Sequence, residues 1–418
     1  MCPKFACSGQ NFGEPLVNRK EEVEMRRDGS LGLIIGGVMV MLLVAALLVS
    51  IPTPGFAAAK PIKMGVILEL TGPGASYGVP AKQSIELRLQ ESHYQVAGRP
   101  IKVVWEDDQT SPATAILKAK KLVELDKVDF ILGPIFSDAQ DSIAPYLARQ
   151  HIMGMAPIGA SLELEKYANW IVFPGSLYSF GIPLGDYAYG KGYRTMTTLG
   201  ADYIAGYRFV NGVADRFKAK GGSVIQQQWV PYGTSDYAPY LTAMKKADVF
   251  AVWTIAPDML TILKQYYQLG LKMPILIIEA DNLNSSQLAG IGKPLLGTKG
   301  MIAAYTQRLD YPANHEFVKE LKAKYGRSPD MIDGCAYTCM STYLAGLEAT
   351  KGDPHLGVLR PAILRLKLNT PAGPVSFAPS GFALSNRYMA EVKLINGKYA
   401  WDPFETYTKV RDPRDKVE

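Results

Sequence analysis

An α/β fold of two lobes is the architecture this sequence predicts, and three observations carry it. From Lys60 onward, short β-rich runs alternate with helical stretches. The alternation comes in two series, the first from about residue 62 and the second from about residue 190. A late return then passes through two long helical stretches and a closing hairpin. Strands that alternate with helices in this way build parallel sheets covered by helices on both faces.

In the first series, IKMGVIL (62–68) leads into a helical pattern through Ile85, Leu87 and Leu89. IKVVWEDD (101–108) leads into SPATAILKAKKLVELDK, where Ser111 is a good N-cap and Pro112 suits the first helical position. DFILGP (129–134), a helix from about Ser137, and IMGMAPI (152–158) continue the pattern. The second series has strand-like runs RTMTTLGAD (194–202), SVIQQQWV (223–230), DVFAVWTI (248–255) and PILIIEA (274–280). Helices are expected over 205–220, 238–246 and 257–270. The return runs through GMIAAYT (300–306) to helices over about 313–325 and 331–350. PVSFAP and RYMAEVKLINGKYA close the chain, with Asn396-Gly397 a strong type I′ turn signal.

The 418 residues are 48% hydrophobic and 20% charged, so a core of ordinary size is available. The net charge of +6 is spread thinly, with no block of five like charges, which argues against a nucleic-acid partner. Lys118, Lys120 and Lys121 read as a solvated helix face. Cys335 and Cys339, four apart, fall on one helical face and read as small buried residues, so no disulfide framework is expected.

The N-terminus carries an export signal. Residues 31–51 read LGLIIGGVMVMLLVAALLVSI, uncharged, after Arg26-Arg27 and before Pro52, Pro54 and Gly55; Ala57-Ala58-Ala59-Lys60 follows. Positive charge, apolar run, breaker and small residues are the parts of a secretory signal, with cleavage expected after Ala59. The run is also long enough to span a bilayer, so an uncleaved anchor is the alternative. Residues 1–24 are polar and unlike a signal's start, whereas a start at Met25 gives a conventional one. No Cys follows the run near the small residues, so a lipoprotein anchor is not supported. Either way, residues 60–418 are expected outside the inner membrane, in the periplasm.

Motifs for chemistry are missing. There is no phosphate loop of the G-x-x-x-x-G-K-[ST] type, no G-x-G-x-x-G after a strand and no H-E-x-x-H. His93, His151, His315 and His355 are far apart and lack ligand-spaced neighbours, so neither metal nor cofactor is expected. Glu106-Asp107-Asp108 ends a strand, where paired carboxylates can do acid–base work, but they read as caps of the loop before Ser111. With no assembled nucleophile and base, no enzyme is expected. Binding is better supported. Open α/β sheets hold ligands at the carboxyl ends of strands, against helix N-termini whose free N–H groups suit a carboxylate. GPIFSDAQ (133–140) fits this: Ser137 stands at the helix start, as N-cap, as ligand group, or as both. APIGAS (156–161) is a second such turn, with Ser161 as candidate cap.

Taken together, IKMGVILELTGPGASYG (62–78), EDDQTSPATAILKAKKLVE (106–124), FILGPIFS (130–137), APIGAS (156–161), VFPGSLYSFG (172–181), GADYIAGY (200–207) and YGRSPDMIDGCAYT (325–338) resemble one family in order and spacing. It is the branched-chain amino acid type of ABC-transporter solute-binding protein, a leucine-binding-protein-like, type 1 periplasmic binding protein. The resemblance implies two Rossmann-like lobes joined by three crossover strands near 173–176, 301–306 and 377–382. One lobe would comprise 60–175 with 306–380, the other 176–305 with 381–418, after the export segment 1–59. The implied partners are a small carboxylate-bearing solute and an inner-membrane ABC permease, and a monomer is expected. A membrane-anchored sensor's ligand-binding ectodomain is the alternative role.

The resemblance also implies a pocket. Tyr77 matches an aromatic near the ligand, and Phe136 and Ser137 match the turn whose hydroxyl and amide hold a carboxylate. Asp281 stands where amino-acid binders place an acid for the ammonium group. Ala160 replaces the usual Thr beside Ser161, Ala205 replaces an aromatic before Gly206, and Ile255-Ala256 replaces an aromatic pair. The implied pocket is wider and less polar, suited to an aromatic acid or a larger amino-acid derivative as much as to an aliphatic amino acid.

Overall fold

A computed structural model describes residues 60–231 and 233–415. The expected export segment, residues 1–59, lies outside the described residues. The described chain folds as α/β around two sheets, one per lobe.

The first sheet contains β1 (Ile62–Leu68), β2 (Gln95–Val96), β3 (Arg99–Asp107), β4 (Phe130–Leu132), β5 (Met153–Ala156) and β6 (Trp170–Val172) in the order β2-β3-β1-β4-β5-β6. All neighbours run parallel except the short edge strand β2. Its connections include α1 (Ala75–Glu91), α2 (Pro112–Lys121) and α3 (Ser137–Arg149). Ser111 caps α2 by accepting from Thr114 N, and Pro112 opens it, as the sequence predicts.

The second sheet is built from β7 (Thr195–Ala201), β8 (Ser223–Val230), β9 (Val249–Trp253), β10 (Ile275–Ile277), β11 (Lys299–Ile302), β12 (Leu368–Thr370), β13 (Gly373–Phe377) and β14 (Ala383–Ile395), in the order β12-β13-β14-β11-β10-β9-β7-β8. A ninth strand, β15 (Lys398–Val410), pairs with β14. β8 through β11 are parallel, whereas β12 to β15 join antiparallel, so this sheet is mixed. The helices between its strands are α4 (Leu177–Gly190), α5 (Ile204–Ala219), α6 (Ala238–Thr242), α7 (Ala256–Gln268) and α8 (Ser285–Ala289). The return supplies α9 (Pro312–Tyr325), α10 (Met331–Ala349) and α11 (Leu356–Leu364). α6 stops at Thr242, short of the helix expected to Lys246. Asn396 and Gly397 turn the last hairpin with φ of 50° and 75°, the pair of positive angles a type I′ turn needs.

Strands covered on both faces explain the near-continuous apolar runs. In β9, Val249, Ala251 and Trp253 pack with α4 and α5, while Phe250 and Val252 face the other core with Met259, Ile262 and Leu263 of α7. In the first lobe, Met64, Val66 and Leu68 face the core shared with α1 and α10, and Ile67 faces Ala115, Ile143 and Leu147 of α2 and α3. Period-two alternation therefore separates two cores rather than core from solvent. Cys335 and Cys339 are buried in α10 with free thiols, as expected of small packed residues.

The chain passes from one sheet to the other at places that touch. Phe382 bridges Val172 at the edge of the first sheet. Ser385 Oγ donates to Pro174 O at 2.8 Å, and the buried Arg387 donates to the same carbonyl at 2.8 Å. Asp412, beyond β15, accepts from Ser176 Oγ at 2.6 Å. β12 and β13 hydrogen-bond into the second sheet, so that sheet runs through residues 368–377, a stretch the sequence reading groups with the first lobe.

Candidate functional site

Strand order dictates where a crevice opens. In the first sheet β1 lies between β3 and β4, and in the second β7 lies between β8 and β9. Connections leave in opposite directions at such switch points, and the gap lies beyond the strands' carboxyl ends. Both gaps face one cavity of about 390 Å³. The first lobe contributes Tyr77 after β1, Ile135, Phe136 and Ser137 after β4, and Ile158 and Gly159 after β5. The second contributes Tyr203 and Ala205 after β7, Phe209 on α5, Trp253 and Ile255 at β9, and Glu279 after β10; Leu177 at the start of α4 completes the lining.

Glycines let these segments approach. Gly133 has φ of 92°, and a Cβ there would sit 1.9 Å from Ile67 O, so the chain can leave β4 only without a side chain. Gly206 brings α5 down on β7: its Cβ would lie 1.9 Å from Ala201 O.

The walls are aromatic. Phe209 and Trp253 stack with centroids 4.5 Å apart and planes 15° apart, and Tyr203 leans on Trp253 at 5.8 Å. Across the cavity, Tyr77 meets Phe136 edge-on at 5.6 Å. Two polar groups break the apolar surface. Ser137 is the first residue of α3, where Phe136 occupies the cap position without a side-chain bond; the Ser137 Oγ is buried without a partner. Glu279 accepts from Trp253 Nε1 at 2.9 Å. A buried hydroxyl without a partner, at a helix end that favours negative charge, is suited to a carboxylate.

Buried acids stand behind these walls. Glu69, after β1, accepts from Ile135 N and Phe136 N with one oxygen, both at 3.0 Å, and so holds the backbone leading to Ser137. Burial, then the neighbouring Asp108, pushes its carboxyl up to about 8, against the pull of those N–H groups. Burial and the charge of Asp281 likewise push Glu279 up to about 8. An acid whose proton is held more tightly in the folded chain contributes stability that is complete below its unfolded pKa, near 4.5, and is lost as pH rises through the folded value. Stability should therefore fall between pH 5 and pH 8, by at most about 1.4 kcal/mol per pH unit for each such group. Thermal melts across that range check this, and Glu279→Gln should flatten the slope; a slope of opposite sign would refute it.

The structure distributes the sequence-predicted residues unevenly. Tyr77, Phe136, Ser137 and Ala205 line the cavity. Ala160 and Ser161 do not: Ala160 is fully buried beside Ser176, and Ser161 donates to Asp141 at 2.9 Å while capping the turn after it. Ile158 and Gly159, just before them, face the cavity instead. Asp281 also lies outside the cavity lining and spends its oxygens on Ala303 N, Ala304 N and Tyr305 N at 3.0, 3.0 and 3.2 Å. The acid on the cavity is Glu279, two residues earlier. Nor is the pocket short of rings, because Tyr203, Phe209 and Trp253 stand where Ala205 and Ile255 leave room. The carboxylates 106–108 are structural: Glu106 is buried and pairs with Lys118 and Lys121, and Asp107 accepts from Leu70 N and Thr71 N. Lys118 and Lys121 are thus ion-paired rather than only solvated. Among the described residues, no group of three or more His, Cys, Asp or Glu is placed to hold a metal, and no helix is long and apolar enough to cross a membrane.

Comparison with known proteins agrees with this architecture. A protein named Leu/Ile/Val-binding protein homolog 6 from Brucella melitensis is 26% identical over 373 residues, covering 87% of this chain and 95% of that protein. An ABC transporter substrate-binding protein from Sphaerobacter thermophilus has a TM-score of 0.80 at 26% identity, covering 84% of this chain and 99% of its own. A solute-binding protein of an ABC transporter from Rhodopseudomonas palustris BisB5, solved with 3,4-dihydroxybenzoic acid, has a TM-score of 0.79 at 26% identity, covering 85% and 99%. Residues 61–398 match the family described as periplasmic binding protein, and the chain belongs to that family, in its type 1, leucine-binding-protein-like form.

Proposed function

We propose that this chain is an exported solute-binding protein that captures a small aromatic carboxylate between its lobes and delivers it, chemically unchanged, to an ABC permease. The observation that carries this reading is the unpartnered Ser137 Oγ, buried at the N-terminus of α3 in a cavity walled by Tyr77, Phe136, Tyr203, Phe209 and Trp253. The carboxylate lies at Ser137, and the aryl ring lies among faces and edges that aromatic pairs prefer. The likeness to the dihydroxybenzoate-bound Rhodopseudomonas protein supports the ring. Export with release after Ala59 belongs to the same reading, and N-terminal sequencing of the mature protein tests it.

A branched-chain amino acid is the second reading, favoured by Glu279. That carboxyl faces the cavity and would ionise beside an ammonium group. Thermal-shift measurements with benzoate, 4-hydroxybenzoate and leucine separate the two. A ligand at one hundred times its Kd stabilises the fold by about 2.7 kcal/mol. The aromatic acids are expected to shift the melt and leucine not; the reverse pattern would sink the first reading. Ser137→Ala should then weaken the aromatic acid about tenfold, since a charge-assisted hydrogen bond contributes about 1.5 kcal/mol or more. Unchanged affinity by calorimetry would remove Ser137 from the site.

A further inference from the structure

Tyr77 belongs to two cavities. Its ring walls the aromatic cavity and also borders a second one of about 510 Å³, lined by Ser76, Asn282, Asn284, Gln287 and Asp330 among others. The ring is thus a partition, and it is held from the opposite lobe. Tyr77 lies on α1, whereas its hydroxyl donates to Asn282 Oδ1 at 2.8 Å and accepts from Ala256 N at 3.3 Å. Asn282 is itself fixed, because its Nδ2 donates to Thr254 O at 3.1 Å. Tyr77 and Asn282 are both buried. Opening the lobes would separate both bonds of the Tyr77 hydroxyl while leaving the Asn282–Thr254 bond intact within its lobe.

We infer that the Tyr77 hydroxyl is the latch of the closed clamp, and that Asn282 sets how long a captured solute is held although it does not line the solute cavity. The latch rests on the reading of this chain as a clamp, but not on the identity of its solute. The same side chain thereby closes the lobes and completes the wall. A solute that displaces the Tyr77 ring must also break the latch, which confines the cavity to solutes that end short of it.

Asn282→Ala, Tyr77→Phe and the double variant test this. Release of 4-hydroxybenzoate, followed by tryptophan fluorescence after rapid dilution, should be about fivefold to tenfold faster in each single variant, the loss expected of one or two hydrogen bonds. The double variant should release no faster than the quicker single one, since both break the same contact. An unchanged release rate in Asn282→Ala overturns the latch, as does full additivity. Small-angle scattering without solute gives a second readout: both single variants should show a larger radius of gyration than the parent. If 4-hydroxybenzoate does not bind the parent chain, the aromatic reading fails and scattering decides the latch alone. Identical profiles for the parent and both variants would then overturn it.

Discussion

Asp281→Ala should lower the stability of the fold by about 3 kcal/mol, while leaving the affinity for solute within about twofold. Three backbone N–H groups, of Ala303, Ala304 and Tyr305, converge on this carboxylate just where β11 ends and the chain crosses between lobes. No sheet ladder takes them there. Burial pushes the Asp281 carboxyl up to about 6, although those same N–H groups pull it down. Those N–H groups favour its ionised form, in which the hydrogen bonds are of the stronger, charge-assisted kind. A buried donor left unpaired costs about 1–3 kcal/mol. Three would cost more than the stated loss, but Asp281 borders the second cavity, of about 510 Å³, and water entering there can take over part of the work. Asp281→Asn keeps one acceptor oxygen and should lose about half as much. Urea titrations with an unchanged m-value would establish the effect as one on stability. If affinity for the solute collapsed while the fold held, the carboxylate would belong in the site after all.

Trp253→Ala should weaken an aromatic carboxylate at least a hundredfold. Large aromatic anchors in well-packed pockets carry the greatest share of binding energy, and truncating them costs about 2–4 kcal/mol or more. Trp253 stacks on Phe209, closes one wall of the cavity and donates to Glu279. Removing it leaves the Glu279 carboxyl buried without that donor and opens the space beside Tyr203. Stability should also fall, by about 3–5 kcal/mol, the usual cost of deleting so large a buried ring. Trp253→Phe retains a stacking face and should recover most of the stability but not the bond to Glu279. Calorimetric titration with 4-hydroxybenzoate reads both variants. An alanine variant that bound within twofold of the parent would take the ring out of the recognition surface.

The fold was legible because its strands are covered on both faces. Apolar runs such as DVFAVWTI stand out from the helical stretches beside them whichever core each residue faces. The antiparallel end of the second sheet was harder to read. β12 is only three residues long, and Leu368 and Asn369 resemble a loop as much as a strand. Residues of the candidate cavity were legible where a turn carries them: Phe136 and Ser137 follow β4, and Tyr77 and Ala205 lie in the first turn of a helix. Trp253 and Phe209 were not, because their sequence context is that of ordinary core positions. They are buried almost as fully as Phe250, three residues before Trp253 in β9. Only their place beside a switch point marks them, and strand order is not written in local sequence. The exchange of Asp281 for Glu279 has a similar cause. Beyond β10 the chain enters a short turn of 3-10 helix, Ala280–Asn282, and the parity that tells one face of a strand from the other is lost there.

Helix α10 carries one more consequence. It packs against α1 over the first sheet, and Ser84 Oγ donates to Asp333 Oδ1 at 2.7 Å across 249 residues of sequence. A chain emerging from the ribosome presents Ile85, Leu89 and Phe130 long before Met340, Tyr343 and Leu347 exist to cover them. The half that is made first must therefore be finished last. Contacts of such range close slowly. For much of synthesis the leading half therefore stays bare on one side, waiting for residues that close it.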